Sequence, residues 1–271
     1  MTNKHAIHKQ FTTHNSLLTK SAFTLAETLI VMGIIGVVAA LTLPNLNSST
    51  GDKEKVTKVK KIYSNLNDAY GRAEVIYGPI DTWFANITNK DVASEKLGER
   101  VVDFMKTSKI CGMRQNQGCF FASNAVYLDG SKDINFDEHI GYYKILTADG
   151  TSISFRIYKM DCMEDIALPN ASAPLNRCGT IYVDIDGPNK GQNCHGRDIF
   201  GFALTDRGIY PYGSQEQLDY SKLKSNCFKK GLWCTDWVIE NGNMDYLKVG
   251  SDGKCPDGKT ILDWSANTSC K

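Results

Sequence analysis

The longest apolar stretch of the chain lies near its amino end. Residues 23–43 read FTLAETLIVMGIIGVVAALTL, and Glu27 is the only charged residue among these 21 positions. As a helix, this stretch would rise roughly 31 Å, which matches the ~30 Å hydrocarbon core of a bilayer, so it predicts a membrane-spanning helix. Because an acid inside a membrane is costly and usually functional, we expect Glu27 to have a partner. The alternative is a carboxylate that simply reaches the membrane surface.

The residues that flank this stretch bear on its orientation. Residues 1–22 carry Lys4, Lys9 and Lys20 and no acid, which favours a cytoplasmic amino terminus. A lysine cluster on the other side favours the opposite orientation: Lys53, Lys55, Lys58, Lys60 and Lys61. A secretory signal peptide is a second interpretation, but its apolar region is usually about 7–15 residues long and lacks acids.

Helical spacing of apolar residues continues beyond the first stretch. Pro44 has no backbone N–H to donate and predicts a kink, and Gly78-Pro79 predicts the end of the helix. Between them, steps of three and four residues predict an amphipathic segment, residues 45–77, whose apolar face needs a second layer to cover it. Its stripe consists of Val56, Val59, Tyr63, Leu66, Ala69, Tyr70, Ala73, Ile76 and Tyr77.

Strand patterns dominate the second half of the chain. Residues 142–147 and 151–158 flank Ala148-Asp149-Gly150, a hairpin signal, and residues 180–185 and 198–204 predict two further strands. Residues 91–107 predict a weaker helix. We therefore expect an α+β fold in which a long amino-terminal helix, membrane-spanning in its first half and amphipathic in its second, packs on an antiparallel sheet with Cys-rich loops. Residues 78–271 would form one globular domain.

Composition and motifs narrow the function classes. Lys and Arg number 31 against 30 for Asp and Glu, so net charge gives no argument for a nucleic-acid partner. The phosphate-binding lysine loop, G-x-S-x-G and H-E-x-x-H are all absent from the sequence. We predict neither an enzyme nor a specific nucleic-acid binder. We interpret the lysine cluster as a solvated helix face. The alternative is that it contacts DNA or anionic lipid.

Nine cysteines without a C-x-x-C pair favour an oxidising compartment over a metal site. Pairing of neighbours in sequence would join Cys111 with Cys119, Cys162 with Cys178, Cys227 with Cys234, and Cys255 with Cys270. Eight cysteines allow 105 connectivities, so proximity alone selects this pattern. Cys194-His195 resembles half of a metal or nucleophilic site, but no second ligand pair is near in sequence, and a structural or free thiol is the alternative.

The residues around the first stretch resemble a known family. Ser21-Ala22 followed by FTLAETLIVMGIIGVVAALTLPNL is similar to the leader and mature start of type IV pilins and type II secretion pseudopilins. The resemblance implies that prepilin peptidase cuts between Ala22 and Phe23 and methylates the new amino terminus. Glu27 would then be the fifth mature residue and Pro44 the twenty-second, and Glu27 would pair with the amino terminus of a neighbouring subunit during assembly. Residues 182–213 also resemble a loop region of such pilin-like proteins.

This resemblance implies a pilin-like organisation: a cleaved leader (1–22), an assembly helix (23–44), its amphipathic continuation (45–77) and a globular domain (78–271). It implies a structural, minor or specialised subunit of a type IV pilus or type II secretion pseudopilus. Its partners would be prepilin peptidase, other pilin or pseudopilin subunits, an inner-membrane assembly platform and membrane lipid. The ectodomain would be periplasmic or extracellular, on a single-pass inner-membrane anchor or a surface filament. The alternative is a membrane-anchored extracytoplasmic binding domain that joins no filament.

A glycine-rich acidic loop is the one candidate metal site. Asp184, Asp186, Asn189 and Asp198 lie among glycines, and oxygen ligands with tight turns suit Ca²⁺. The spacing differs from an EF-hand, and some pseudopilins hold calcium in a comparable loop. A plain Asp-Gly turn is the competing interpretation. No other cofactor is expected.

Overall fold

The computed structural model describes residues 24–162, 164–166, 175–191, 193–214, 220–264 and 266–270. Within them, side chains are described except at 39–50, 164–166, 175 and 220. Contacts divide the chain into two compact units, which meet between Ser48 and Ser49. The first unit contains the amino-terminal part of helix α1 (Leu25–Tyr77), and the second contains the rest of α1 and the folded domain.

The folded domain is α+β. After α1 come a 3-10 turn (Ile80–Thr82), α2 (Lys90–Val102), β1 (Thr107–Gly112), β2 (Tyr143–Thr147), β3 (Ser152–Ile157), β4 (Glu164–Ile166), β5 (Leu175–Asp184), β6 (Ile199–Thr205) and β7 (Gly208–Pro211). The carboxyl-terminal part contains α3 (Tyr220–Lys222), a π-helical segment (Leu223–Lys229), α4 (Thr235–Asn241) and a 3-10 turn (Asp245–Leu247).

All strand pairs are antiparallel. Six strands follow one path, β1-β2-β3-β5-β6-β7, and β4 pairs with the amino-terminal end of β5. Asp149 and Gly150 form the β2–β3 turn, where Gly150 has a φ of 85°. Glycine is suited to this turn because a positive φ costs it no Cβ clash.

The core lies between one face of the sheet and the amphipathic part of α1. Ile153, Phe155 and Ile157 of β3 are fully buried together with Ile181 and Val183 of β5. The buried stripe of α1 that covers them consists of Val56, Val59, Ile62, Leu66, Ala69, Tyr70 and Ala73. At 25 cal/mol per Å², each such aliphatic side chain contributes about 1.5–3 kcal/mol, so this layer is a principal source of stability.

An aromatic stack and two hydrogen bonds hold α1 on the sheet. Tyr63 stacks on Phe202 of β6 at 5.7 Å between ring centroids, and the Tyr70 hydroxyl donates to the Thr205 carbonyl at 3.3 Å. The Ile209 N–H of edge strand β7 donates to Asn67 Oδ1 at 3.4 Å. A side chain of α1 therefore satisfies part of the sheet edge, which limits pairing with other chains there.

The prediction that the first half of the amino-terminal helix spans a membrane is wrong for the described residues. Among them, no helix is long and apolar enough to cross a membrane. The sequence-based prediction counted the whole stretch to residue 43 as one span.

Candidate functional site: the amino-terminal helix and the acidic loop

Thr24 and Glu27 form a reciprocal cap at the start of α1. The Glu27 N–H donates to Thr24 Oγ1 at 3.2 Å, and the Thr24 N–H donates to Glu27 Oε2 at 2.9 Å. The Thr24 hydroxyl also donates to Glu27 Oε2 at 2.9 Å. This arrangement is a capping box, in which two backbone N–H groups without helical partners are satisfied together. The Thr-x-x-Glu spacing is typical of this cap, although the sequence-based prediction did not include it.

The Glu27 carboxylate is exposed and ionised. Hydrogen bonds from the Thr24 backbone N–H and hydroxyl lower the pKa of Glu27 below its usual value. A negative charge in the first turn of a helix also interacts favourably with the helix dipole. Glu27 thus has a local partner, Thr24, and its exposed side also permits contact with a cationic group of another molecule.

An exposed apolar face follows this cap. Exposed fractions reach 63% for Leu29, 70% for Met32 and 62% for Ile35. A Cβ added at Gly33 or Gly36 would meet nothing within 4 Å. Among the described residues, no packing contact therefore requires a glycine at position 33 or 36. Exposed apolar surface of this extent is typical of an interaction site.

The other predicted residues of this segment are less informative. Ala22 and Phe23, the predicted cleavage site, lie outside the described residues. Pro44 lies within the bounds of α1, in the part whose side chains are not described. Processing at Ala22 and Phe23, and assembly through Pro44, stay predictions.

Two residues of the predicted calcium loop are buried carboxylates at the β5–β6 end of the sheet. Asp184 Oδ1 accepts from the backbone N–H groups of Asp186 at 3.0 Å and Gly187 at 3.1 Å. Asp184 Oδ2 is buried without a hydrogen-bond partner in the described part of the chain. Asp198 accepts from the Cys194 N–H. Strand pairing brings the two acids together, since the Ile185 N–H donates to the Asp198 carbonyl at 3.0 Å.

Burial raises the pKa of Asp184 to about 7, and the negative charge of Asp198 adds to this shift. Burial also raises the pKa of Asp198, although the Cys194 N–H and the ammonium of Lys55 oppose that change. A carboxyl group in this setting is more stable protonated than one in water.

The other two predicted ligands, Asp186 and Asn189, are not buried carboxylates. Asp186 forms ion pairs with Lys55 at 3.4 Å and Lys58 at 3.8 Å, both on α1. Asn189 is exposed. Across the described residues, no group of three or more His, Cys, Asp and Glu side chains is arranged to hold a metal ion. Calcium at this loop stays a prediction, and its acids also serve to attach the loop to α1.

The structure contains four disulfides with the pairs selected from sequence proximity: Cys111–Cys119, Cys162–Cys178, Cys227–Cys234 and Cys255–Cys270. Cys194 is a free thiol. Burial and the nearby Asp198 raise the pKa of Cys194, so its reactive thiolate form is disfavoured.

His195 has a structural role. Its Nε2 lies 2.8 Å from Asp133 Oδ2, and its ring stacks on Tyr127 at 4.9 Å. Burial would raise the pKa of Asp133, yet the bond to His195 keeps it below its usual value. The pair joins residues 62 positions apart in sequence, and sequence spacing gave no signal of it.

The lysine cluster of α1 is engaged within the domain at three of its five positions. Lys55 and Lys58 pair with Asp186, and Lys61 pairs with Asp149 in the β2–β3 turn at 2.8 Å. These contacts agree with the interpretation of this surface as a helix face with acidic neighbours. They reduce the positive charge that it offers to DNA or lipid.

No protein-family model, curated protein or solved structure matches this chain.

Proposed function

We propose that this protein is a filament subunit of the type IV pilin or type II secretion pseudopilin kind, in a minor or specialised position, which assembles through the amino-terminal part of α1. The observation that carries the proposal is the exposed apolar face of residues 25–38 with bare backbone at Gly33 and Gly36. Helices that approach each other closely use small residues at such positions. The same helix of other subunits would cover this face.

The resemblance of about residues 20–46 to prepilins supports the same function. Prepilin peptidase would cut before Phe23, other pilin or pseudopilin subunits would be the assembly partners, and an assembly platform would receive the processed subunit. The four disulfides support a folded domain outside the reducing cytoplasm.

Glu27 has two roles in this proposal. It caps its own helix through Thr24, and it pairs with the amino-terminal ammonium of a neighbouring subunit. The two roles require different properties, because an amide can replace a carboxylate in a capping box but carries no charge. Glu27→Gln therefore keeps the cap and removes the intermolecular attraction.

The test is incorporation of Glu27→Gln and Thr24→Ala subunits into filaments sheared from the native cells. We expect Glu27→Gln to reduce incorporation strongly, and Thr24→Ala, which weakens the cap and keeps the charge, to reduce it less. The reverse order would show that Glu27 acts only on its own helix. Mass spectrometry of the amino-terminal peptide should show a start at Phe23 with one added methyl group; a start at Leu41, after a secretory-type cut, would exclude the proposed function.

A further inference from the structure

His139 lies in the loop between β1 and β2, and both of its ring nitrogens face hydrogen-bond donors. The Gly141 N–H donates to His139 Nδ1 at 2.9 Å, and Arg156 Nη1 of β3 lies 3.3 Å from Nε2. A backbone N–H can only donate, so Nδ1 is the acceptor and the neutral ring carries its proton on Nε2. A proton added at Nδ1 would break the bond from Gly141 and place two donors against each other.

Two cations lie beside this ring. The Arg156 guanidinium is held there by two tyrosines, with Cζ 5.0 Å from the Tyr142 ring centroid and 5.3 Å from that of Tyr158. Arg156 Nε is buried and makes no hydrogen bond within the described part of the chain. Lys144 of β2 is fully buried, and its ammonium donates to the His139 carbonyl at 2.9 Å. A protonated His139 would add a third positive charge to this partly desolvated cluster, where like charges disfavour one another.

The acids near this ring do not offset the two cations. Asp91 of α2 and Asp133 of the β1–β2 loop favour protonation of His139, each more weakly than either cation opposes it. The Asp137 carboxylate accepts from three backbone N–H groups, and Glu138 is exposed. Burial of the ring and the two neighbouring cations therefore lower the pKa of His139 below its usual value.

Residues 137–141 are anchored to β2 and are flanked in sequence by two buried aromatic residues. Besides its bond within the loop at position 139, Lys144 Nζ donates to the Asp137 carbonyl at 3.1 Å, so one buried ammonium holds two carbonyls of the loop. Phe136 and Tyr142 meet edge to face at 5.5 Å and belong to a second apolar cluster of the domain. Displacement of the loop would therefore expose apolar surface.

We propose that residues 137–141 form an acid-sensitive loop, which is held on the sheet while His139 is neutral and is released when His139 takes up a proton. The open loop binds the proton more tightly than the closed loop, because only the closed loop places it beside Arg156 and Lys144. The free energy that holds the loop closed is therefore fully present above about pH 6.5 and decreases as the pH falls below that value. Release exposes the two flanking aromatic rings, so the domain presents this apolar surface only in acid.

The test is hydrogen–deuterium exchange of the full chain in detergent micelles at about pH 7.5 and about pH 5, corrected for the intrinsic exchange rate at each pH. We expect the protection of backbone amides in residues 136–143 to fall by at least about 3-fold at the lower pH. His139→Asn offers Gly141 a side-chain oxygen in place of Nδ1 and takes up no proton in this range, so its loop should stay protected. Protection of β6, beside Asp184 and Asp198, should respond to pH equally in both chains and is the internal control.

Three outcomes would overturn the proposal. The first is equal protection of residues 136–143 in wild type at both pH values. The second is an equal loss of protection in wild type and in a folded His139→Asn variant. The third needs no variant: a magnetic-resonance titration of the wild-type His139 ring with a midpoint at or above that of the unfolded chain. None of these outcomes bears on filament incorporation, because this loop and residues 25–38 belong to different units of the chain.

Discussion

Gly98 of α2 lies against the ring of Tyr143 of β2, so closely that a methyl group at position 98 would overlap the ring. Tyr143 is itself buried between α2 and the core. The absence of a side chain at Gly98 thus sets the distance between α2 and the sheet. The Ile157 N–H donates to the Ser94 hydroxyl at 2.9 Å and holds the same two elements together.

Gly98→Ala should lower the free energy of unfolding by about 1–3 kcal/mol, the usual cost of overpacking a closely packed site. Gly71→Ala is the matched control on α1, where a new Cβ meets nothing within 4 Å. That change should stabilise the chain by about 0.5–1 kcal/mol, because alanine favours a helix over glycine. Urea unfolding of both variants measures the difference. A neutral or stabilising Gly98→Ala would contradict the contact.

Asp184 should make the chain less stable as pH rises. Its pKa is raised from 3.8 to about 7 in the folded state, so the folded state binds the proton more tightly than the unfolded state does. Stability from this group is fully present below about pH 4 and is lost as pH rises through about 7. At 1.36 kcal/mol per pKa unit, the loss is at most about 4 kcal/mol.

Asp184→Asn should remove this pH dependence, because the amide oxygen still accepts from Asp186 and Gly187 and carries no charge. The variant should therefore unfold at higher denaturant than wild type at pH 8 and at a similar concentration at pH 4. Asp257 is a control of opposite sign, since the Thr260 hydroxyl lowers its pKa. Parallel pH profiles of wild type and Asp184→Asn between pH 4 and 8 would refute the assignment.

Asp137 should contribute strongly to the stability of the loop between β1 and β2. Its buried carboxylate accepts from the backbone N–H groups of Gly118 at 3.0 Å, Cys119 at 3.1 Å and Phe120 at 3.3 Å. Asp137→Ala should cost about 2–4 kcal/mol, because it leaves buried donors without an acceptor. Asp68→Ala removes an exposed ion pair with Arg72 and should cost no more than about 0.5 kcal/mol. Thermal unfolding distinguishes the two.

The Cys227–Cys234 bond should stabilise the fold. Replacement of both cysteines by alanine should lower the melting temperature, because the bond restricts the unfolded chain. Replacement of Cys255 and Cys270 by alanine should lower it further, since that bond joins cysteines 15 positions apart instead of seven. Equal melting temperatures of wild type and both double variants would contradict this expectation.

Helical spacing predicted the covered face of α1 but not each of its members. From Val59, steps of three and four residues reach both Ile62 and Tyr63, and only Ile62 is fully in the core, at 4% exposure. Ile76 continues the pattern, yet it is 64% exposed. Periodicity identifies a face, whereas the extent of the opposing sheet decides which residues it covers.

The features that were not predicted from sequence depend on residues far apart in the chain. Strands β1, β4 and β7 were not predicted: β4 and β7 have three and four residues, and β1 is mostly exposed. Asp184 and Asp198 were grouped by sequence, but their burial follows from the pairing of β5 with β6. By contrast, the Thr24–Glu27 cap is local and could have been predicted.

Each of the four disulfides joins cysteines that are 7 to 16 positions apart, with no other disulfide-bonded cysteine between them. In the proposed function the chain would emerge across a membrane from its amino end, and the first two pairs would each be complete before the next cysteine emerges. Cys194 emerges next, and it would meet Cys227 before Cys234 does. Oxidation in order of emergence would therefore join Cys194 with Cys227, and attack of the Cys234 thiolate on Cys227 would then give the native bond and release the Cys194 thiol. Such export should accordingly need a disulfide isomerase as well as a thiol oxidant.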